Sequence, residues 1–558
     1  MDTNALTYAL AAGSAATTAL GLFKLRSRLM LSRAKHRSLT GHARMSRRVA
    51  RLIPYYAYDE GQFFQVDDAP ADVAEKRRAG FLRLSALYAQ RYPRSRALTQ
   101  ELREGLSDLQ FTSAYRVPFQ FSRHVQAHLG TGSIVTQASG VTITDADGNV
   151  AYDLTGSYGV NVFGTDFYKA CLDDATRAAS AVGLVLGSYL PCVKDNVTNL
   201  REISGLDEVS FHMSGTEAVM QAVRLARYNT RRRFVVRFAG AYHGWWGDVQ
   251  PGVGNPIPAR DTLTLAEMSE RTLAVLRSRT DIACVLVNPV QMLHPNASPP
   301  GDSALVDVVS RKAVSREAYA AWLSALRDVC TARGIALILD EIFVGFRIAP
   351  RGAQQYFGVQ ADMVTYGKTI AGGLPIGVVC GKSAFMKRFR TDRPGDVCLA
   401  RGTFNAHPSV MAAMAAFLAR LSTPEVQALY SGLDARWNER TAQVNEDLRT
   451  HDLPLEIVNL SSIWTICHTR PSRYHWMLQY YLRAEGLQLA WTGSGRLVFS
   501  LNYSDADFAE VRSRFLRAAC AMRDDGWFWM APDRPAGAAR GKIMREMLRA
   551  ALGARRGA

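Results

Sequence analysis

The sequence predicts an α/β protein with a large domain on a mainly parallel sheet and a smaller α/β domain, preceded by an N-terminal membrane helix and a helical extension. From about residue 183 to 420, short apolar runs alternate with helical stretches, which is typical of a parallel sheet covered on both faces. Residues 455–520 mix strand and helix patterns again after a helical stretch, which indicates the second lobe. Residues 5–23 carry no charge and a basic run follows them, which favours contact with a membrane.

Composition is consistent with a large globular body. The chain has 558 residues, of which 48% are hydrophobic, enough to bury a sizeable core. Its 8 cysteines include no Cys-x-x-Cys pair. This argues against a disulfide framework or a zinc site, so we predict no metal and expect the body of the protein to be cytoplasmic.

The positive charge is concentrated near the N-terminus. The net charge is +17, and ten Lys or Arg residues lie from Lys24 to Arg51, with no Asp or Glu between Lys24 and Asp59. The rest of the chain is only mildly basic and shows no nucleic-acid-binding motif, so we do not expect nucleic acid to be a partner. Acidic phospholipid is the expected partner of this segment.

The segment from Ala5 to Phe23 is long enough to cross a hydrocarbon core as a helix. We therefore predict a membrane anchor over residues 1–23, and the basic run after it would remain on the cytoplasmic side. A cleaved secretory signal fits less well, because its positive charges normally precede the apolar region. The other alternative is an amphipathic helix that lies on anionic lipid through basic side chains, namely Lys24, Arg26, Arg28, Arg33 and Arg37.

The remaining boundaries follow from local patterns. Residues 24–125 form a basic and helical accessory segment, with Pro93 and Pro118 as breaks. Strand alternation around an Asp147-Gly148 turn predicts a β-hairpin in the first part of the smaller domain. We assign that part to residues 126–182, the large domain to 183–420, the second part of the smaller domain to 421–530 and a basic tail to 531–558. The tail could form an amphipathic helix, but a solvated appendage is the preferred interpretation.

Five segments carry the chemistry, and they occur in the order MSGTEA, AYHG, LILDEIFVGFR, TYGKTIAGGLPIG and GTFNAHP. Together they resemble the class III aminotransferases, which are fold type I enzymes dependent on pyridoxal 5'-phosphate. The motif sequences are most similar to those of glutamate-1-semialdehyde aminomutase and of the aminotransferase modules of polyketide synthases. The resemblance runs from about Gly130 to Cys520. It implies a large cofactor-binding domain and pyridoxal phosphate as the cofactor.

Two residues are the candidate catalytic groups. Lys368 ends the run DMVTYGK between glycines, where backbone can approach a flat ring, and it is placed to bond covalently to the cofactor aldehyde. Asp340 ends the apolar run IALIL, so its carboxylate would emerge at the sheet edge and hold the pyridine nitrogen protonated. The resemblance assigns that contact to the first acid of the pair, and strand alternation turns Glu341 to the opposite face.

The other cofactor contacts are implied by the same motifs. Small residues at a helix start, Ser214, Gly215 and Thr216, would cradle the phosphate. By resemblance, Tyr242 stacks on one ring face, Ile342 packs on the other, and His243 lies behind them. Thr403 matches a residue that reaches the phosphate of the neighbouring subunit, which implies a homodimer.

The substrate side is less well marked. Ser157 and Tyr158 correspond to a family segment that lines it. Where the family commonly has Glu-Pro, this chain has Asn288-Pro289, and no motif identifies an arginine for an α-carboxylate, although Arg496 or Arg347 could serve.

The predicted reaction is a ping-pong transamination in which Lys368 moves the proton and an amino donor supplies nitrogen to a carbonyl substrate. A lipophilic or carrier-bound aldehyde or ketoacyl chain is the favoured acceptor, which makes an acyl carrier protein a possible partner. An intramolecular aminomutase of the glutamate-1-semialdehyde type is the first alternative. A non-catalytic membrane scaffold is the second.

Overall fold

The computed structural model describes residues 3–36, 42–115, 117–130, 132, 134–250, 254–255, 257, 259–293, 295, 314–490, 495–531 and 538–556. The first elements are helices: α1 (Thr3–Ala34), α2 (Ala43–Arg51), α3 (Glu60–Gln65), α4 (Ala71–Arg91), α5 (Pro93–Gly105), α6 (Ser107–Tyr115) and α7 (Phe119–His128). Pro93 is the first residue of α5 and Pro118 is the N-cap of α7. The two predicted breaks are therefore helix starts, where the missing N–H of proline costs nothing.

The smaller lobe begins next. Its first elements are β1 (Val135–Ser139), β2 (Thr142–Asp145), β3 (Val150–Asp153), α8 (Gly156–Gly159) and α9 (Thr165–Ala179). Helix α10 (Val193–Ser204) follows and packs on the central sheet. The β2–β3 pair is the predicted hairpin around Asp147 and Gly148, and Gly148 supplies the positive φ of 82° that the turn requires.

The central sheet follows, and it positions the candidate site. Its elements are β4 (Glu208–His212), α11 (Gly215–Thr230), β5 (Phe234–Phe238), β6 (Thr262–Leu265), α12 (Glu270–Ser278), β7 (Ile282–Val287), α13 (Arg316–Arg333), β8 (Ala336–Asp340), α14 (Gly352–Phe357), β9 (Met363–Gly367) and β10 (Gly377–Gly381). The strand order is β4-β10-β9-β8-β7-β5-β6, and β10 runs antiparallel to both neighbours. Every residue of β7 to β10 is buried, because helices cover both faces. The mainly parallel sheet is as predicted.

The next elements, up to residue 421, still pack on the large domain, and those after it complete the smaller lobe. The elements are α15 (Ser383–Met386), β11 (Phe389–Arg390), β12 (Arg393–Val397), α16 (Pro408–Leu421), α17 (Pro424–Ala428), α18 (Leu433–Thr450), β13 (Leu455–Leu460), β14 (Ile463–His468), α19 (Leu478–Ala484), β15 (Leu487–Gln488), β16 (Arg496–Val498), α20 (Asp505–Asp524) and α21 (Ala538–Arg556). Strand β15 pairs in parallel with β3, so one sheet joins the two sequence-distant parts of the lobe. The exact domain boundaries remain predictions.

The accessory helices are packed into the smaller lobe. Arg77 on α4 is fully buried and forms two 2.8 Å hydrogen bonds to Asp67. It also donates to the carbonyls of Phe64 and Gly526, and its guanidinium lies 4.5 Å from the centre of the Tyr474 ring. A buried charge is tolerated when it is paired and hydrogen-bonded in this way. Helix α4 is thus part of the folded core, as are α3 and α7, which also bury aromatic side chains.

The C-terminal tail is a helix rather than the preferred solvated appendage. Glu546 of α21 accepts hydrogen bonds from both terminal nitrogens of Arg473, at 3.0 Å each, and from Tyr58. Arg473 is almost fully buried, so the one acidic residue of α21 pairs with an otherwise uncompensated core cation. Because the tail is otherwise basic, its sequence pattern gave no indication of this contact.

The predicted membrane-spanning helix is wrong for the described residues. Residues 5–23 do lie in a helix, α1, but no helix in the described ranges is long and apolar enough to cross a membrane. Ala, Gly, Ser and Thr dominate the uncharged stretch and leave its hydropathy too low. The surface-lying alternative is not affected by this correction, although Arg37 lies outside the described residues.

Candidate active site

The two candidate catalytic residues follow neighbouring parallel strands. Asp340 is the last residue of β8 and pairs in register with Thr365 of β9; Lys368 comes directly after β9. Carboxyl ends of parallel strands meet at one sheet edge, where ligands of such folds bind. Lys368 also has a φ of 52°, a strained conformation for a residue with a side chain. This strain is one sign of a functional position.

Asp340 is buried within a polar network. One carboxylate oxygen lies 2.7 Å from Nδ1 of His243, and the other accepts from the Ile342 N–H at 3.2 Å and from the Thr365 hydroxyl at 3.3 Å. Burial lowers the pKa of His243, and the hydrogen bond to Asp340 opposes this effect. A neutral imidazole that donates from Nδ1 fits both observations. His243 thereby fixes the orientation of the carboxylate.

The electrostatic environment of Lys368 favours a neutral amine. Burial lowers the pKa of Lys368, the nearby Asp340 carboxylate opposes that shift, and the Arg347 cation adds to it. A lowered lysine pKa increases the fraction of amine that can act as a nucleophile or base near neutral pH.

The helix start of α11 forms an anion-binding corner. Ser214 is its N-cap and accepts from the Glu217 N–H at 3.2 Å, so Gly215 and Thr216 occupy the first turn, where N–H groups lack partners within the helix. A Cβ on Gly215 would lie 2.7 Å from Ile342, and one on Gly244 would lie 2.5 Å from the Thr216 hydroxyl. The α11 start, the 242–244 loop and the residue after Asp340 are therefore in contact.

Two predicted contact residues are exposed in the single chain. Tyr242 is 60% exposed and its backbone carbonyl accepts a 3.3 Å hydrogen bond from Asn288, while Thr403 lies in an exposed turn before α16. Desolvation of the covered part of the ring raises the pKa of the Tyr242 hydroxyl, and the Asp340 carboxylate adds to that shift.

The predicted substrate-side residues form a tight turn beside the site. Ser157 and Tyr158 have φ values of 45° and 58°, and a Cβ on the next residue, Gly159, would lie 2.6 Å from the Phe343 ring. Phe343 follows Ile342, so the turn packs on the segment that leaves β8. Roles in substrate binding remain predictions.

The two arginines considered as carboxylate-binding candidates, Arg347 and Arg496, are not open surface side chains. Arg347 is fully buried and donates to the carbonyls of Phe499 and Asn161, at 2.6 and 2.9 Å, and to the Ser462 hydroxyl at 3.2 Å. These bonds connect the two domains of the chain and occupy both terminal nitrogens, whereas Nε has no hydrogen-bond partner among the described residues. Arg496 on β16 is half-buried, and burial lowers its pKa to about 10.

Sequence reasoning missed Gln291. It lies in the short 3₁₀ turn Pro289–Leu293 after β7, the strand next to β8, and its side chain is 1% exposed. Its carbonyl oxygen has no hydrogen-bond partner among the described residues. A polar residue in an apolar run at a strand end was the available signal. A buried amide oxygen without a partner, at the end of the strand beside β8, is suited to contact a bound group.

The arrangement and the comparisons define a class of protein. Residues 125–249 and 312–517 match the family model described as aminotransferase class-III. A glutamate-1-semialdehyde 2,1-aminomutase of Nitratidesulfovibrio vulgaris is 30% identical over 415 residues, which are 71% of this chain and 94% of the relative. The chain belongs to the class III aminotransferases and is a pyridoxal-phosphate-dependent enzyme.

Solved structures agree on the fold. A transaminase with pyridoxal phosphate bound is 27% identical, with a TM-score of 0.60 over 78% of this chain and 96% of the other. A glutamate-1-semialdehyde aminomutase from Pseudomonas aeruginosa PAO1 is 21% identical, with a TM-score of 0.64 over 81% and 99%. The fold type I architecture is thereby established.

The residues present fit the cofactor. A buried acid for the pyridine nitrogen, a lysine whose pKa burial lowers and a helix start for a phosphate all converge from adjacent elements.

Proposed function

We propose that the protein is an aminotransferase that moves an amino group from an amino donor to a carbonyl on a lipophilic or carrier-bound chain. The observation that carries the proposal is the placement of Lys368 and Asp340 at the ends of adjacent strands, with His243 bonded to the acid. Bound pyridoxal phosphate supplies an electron-withdrawing ring that makes the hydrogen on the amino-bearing substrate carbon acidic.

Each protein group has a task in this scheme. Lys368 holds the cofactor between turnovers and then takes and returns the proton at the substrate carbon. Asp340, oriented by His243, keeps the pyridine nitrogen protonated, while Ser214, Gly215 and Thr216 bind the phosphate. Tyr242 and Ile342 pack on the two ring faces, and Ser157 and Tyr158 line the substrate side.

The nature of the acceptor rests on two departures from a carboxylate-binding site. Both terminal nitrogens of Arg347 donate to backbone carbonyls or to the Ser462 hydroxyl, so the fold already occupies the pair of donors that would clamp a substrate carboxylate. Asn288 replaces the family glutamate and bonds to the Tyr242 backbone instead. An aldehyde or ketoacyl chain without a nearby free carboxylate suits this environment.

We also propose that the active unit is a homodimer with shared sites. Large apolar side chains are exposed in the single chain, with Leu399 at 80%, Trp245 at 73% and Leu184 at 72%. Exposed apolar surface of this kind marks an interface, and a second copy would bring its own Thr403 to the phosphate corner.

Complementation tests the sharing. In a dimer of one Lys368→Ala and one Thr403→Ala subunit, one site has both changes and the other has neither. Random mixing of the two variants should then restore roughly a quarter of wild-type sites. No gain on mixing would mean that Thr403 acts within its own subunit.

The second candidate function is an intramolecular aminomutase, which the 30% identity to glutamate-1-semialdehyde 2,1-aminomutase favours. An aminomutase converts one substrate without a separate donor. Incubating the holoenzyme with glutamate-1-semialdehyde alone, and in parallel with a long-chain aldehyde or ketoacyl thioester plus a panel of amino donors, separates the two. Amine product that requires a donor supports the aminotransferase; isomerisation without a donor replaces it with the aminomutase.

A further inference from the structure

The N-terminal helix α1 leaves the body of the protein with its side chains uncovered. Every residue from Ala12 to Arg26 is exposed, a stretch about 22 Å long at 1.5 Å per residue. Contact resumes towards its end, where the Ala34 carbonyl accepts a 2.9 Å hydrogen bond from the Ala266 N–H and Met30 packs against the core. Among the side chains that the structure describes, those from Ala12 to Arg26 form the free portion of the helix, and the helix is anchored at its C-terminal end.

Large apolar side chains occur on this free portion. Leu20, Leu22, Phe23 and Leu25 are each more than half exposed. Single exposed leucines are common on protein surfaces, but four within six residues of one uncovered helix are not. Water is a poor environment for such a surface, so a binding partner is expected to cover it.

A groove forms where α1 meets α12. It has a volume of about 480 Å³, and its lining consists of apolar side chains together with arginines only: Leu22, Leu25, Leu29, Met30, Ala274, Arg26, Arg33 and Arg271. No Asp or Glu lines it, and none occurs in the sequence between Asp2 and Asp59. Lys24 and Arg28 add cations to the exposed helix beside it.

A groove lined by apolar side chains and arginines favours one kind of binding partner. Phosphates of nucleic acid would satisfy the arginines but leave the leucines in water, and a typical protein partner would not require a surface free of acids. An anionic phospholipid surface satisfies both groups, since acyl chains contact the apolar side chains and headgroup phosphates contact the arginines. We infer that α1 docks the enzyme on an anionic phospholipid membrane surface, lying in its interface with the α1–α12 groove against the lipid.

Vesicle sedimentation with the full-length holoenzyme tests the inference. We expect binding to vesicles of phosphatidylcholine with phosphatidylglycerol, little binding to phosphatidylcholine alone, and release at high salt. The triple variant Arg26→Gln, Arg28→Gln, Arg33→Gln should lower the partition coefficient about 100-fold, since each basic residue near an anionic surface contributes about fivefold. Leu22→Gln with Leu25→Gln should lower it at least about tenfold.

The matched control removes three exposed arginines elsewhere, through Arg177→Gln, Arg449→Gln and Arg470→Gln, and gives the same net charge. It should bind vesicles like the wild type. Equal loss in this control, binding unaffected by the leucine changes, or tighter binding to duplex DNA than to vesicles would each overturn the inference. Turnover of a soluble substrate should be unchanged in all variants, so this result is independent of the proposed function.

Discussion

The ion pair of Arg77 and Asp67 offers a sharp test of how the accessory helices are held. We expect Asp67→Asn to destabilise the docking of α4 strongly. Asparagine keeps the shape of the side chain but removes the charge and turns an N–H₂ group towards the guanidinium. Arg77 would keep its bonds to Phe64 and Gly526, yet its charge would be buried without a counter-ion.

The magnitude follows from the burial. Both side chains are at most 6% exposed, and loss of one partner from such a buried pair costs about 3–5 kcal/mol. In native-state hydrogen exchange, this loss of free energy corresponds to roughly 100- to 4,000-fold faster exchange of the amides that become exposed when α4 detaches from the body. Glu60→Gln removes the nearby pair with Arg78, whose side chains are 58% and 40% exposed, and should cost less than about 1 kcal/mol.

The relative effects of Asp67→Asn and Glu60→Gln on hydrogen exchange in α4 test this reasoning. If Asp67→Asn accelerates exchange in α4 no more than Glu60→Gln does, the buried pair does not hold the extension and the reasoning is wrong. Replacing both partners, as Arg77→Met with Asp67→Leu, should recover most of the loss, because no unpaired charge remains.

Three further predictions follow from individual contacts. Burial lowers the pKa of His475, whose ring stacks 3.7 Å from that of His468, to about 4, which is below the unfolded value. Its contribution to stability is therefore complete above about pH 6.5 and falls by about 3 kcal/mol towards pH 4. Urea unfolding across this range should show a shallower slope in His475→Gln than in the wild type, with the remaining slope due in part to buried His468, and equal slopes would contradict this account. Gly352→Ala should abolish stable folding, because φ is 68° and the new Cβ would lie 1.8 Å from Glu341. Gly358 has a similar φ of 67° but nothing within 4 Å of a Cβ, so Gly358→Ala should cost only about 1 kcal/mol of stability in thermal unfolding. Equal losses of stability in the two variants would contradict the packing argument. Glu546→Gln should release α21 and make the peptide bonds around residue 540 more sensitive to limited proteolysis, while Lys542→Gln, which removes an exposed pair with Asp68, should not.

The parts of the fold that follow from apolar periodicity were predictable. β7, β8, β9 and β10 are continuous apolar runs because helices cover both faces of the sheet. Strand β6, with the sequence TLTL, was missed, because four alternating residues at a sheet edge give too weak a signal. Family motifs placed Lys368 and Asp340 at strand ends, and the structure puts them on adjacent strands.

What could not be predicted depends on contacts distant in sequence. Arg77 and Arg347 are charged, so their sequence patterns gave no sign that they lie in the core. Glu546 pairs with Arg473, 73 residues away. The low hydropathy of α1 was evident from its sequence, but the length of its uncharged segment led to the prediction of a membrane-spanning helix. No local pattern distinguishes a buried ion pair from a solvated one, because burial is decided by the tertiary fold.

The central claim is that Lys368 holds pyridoxal phosphate at this site. The most direct measurement is borohydride reduction of the purified holoenzyme, followed by peptide mass spectrometry, with the absorption spectrum of wild type and Lys368→Ala recorded alongside. The account predicts a visible absorption band that the variant lacks and a cofactor mass on the peptide containing Lys368. Cofactor attached to another lysine, or wild-type protein that fails to take up added pyridoxal phosphate, would contradict it.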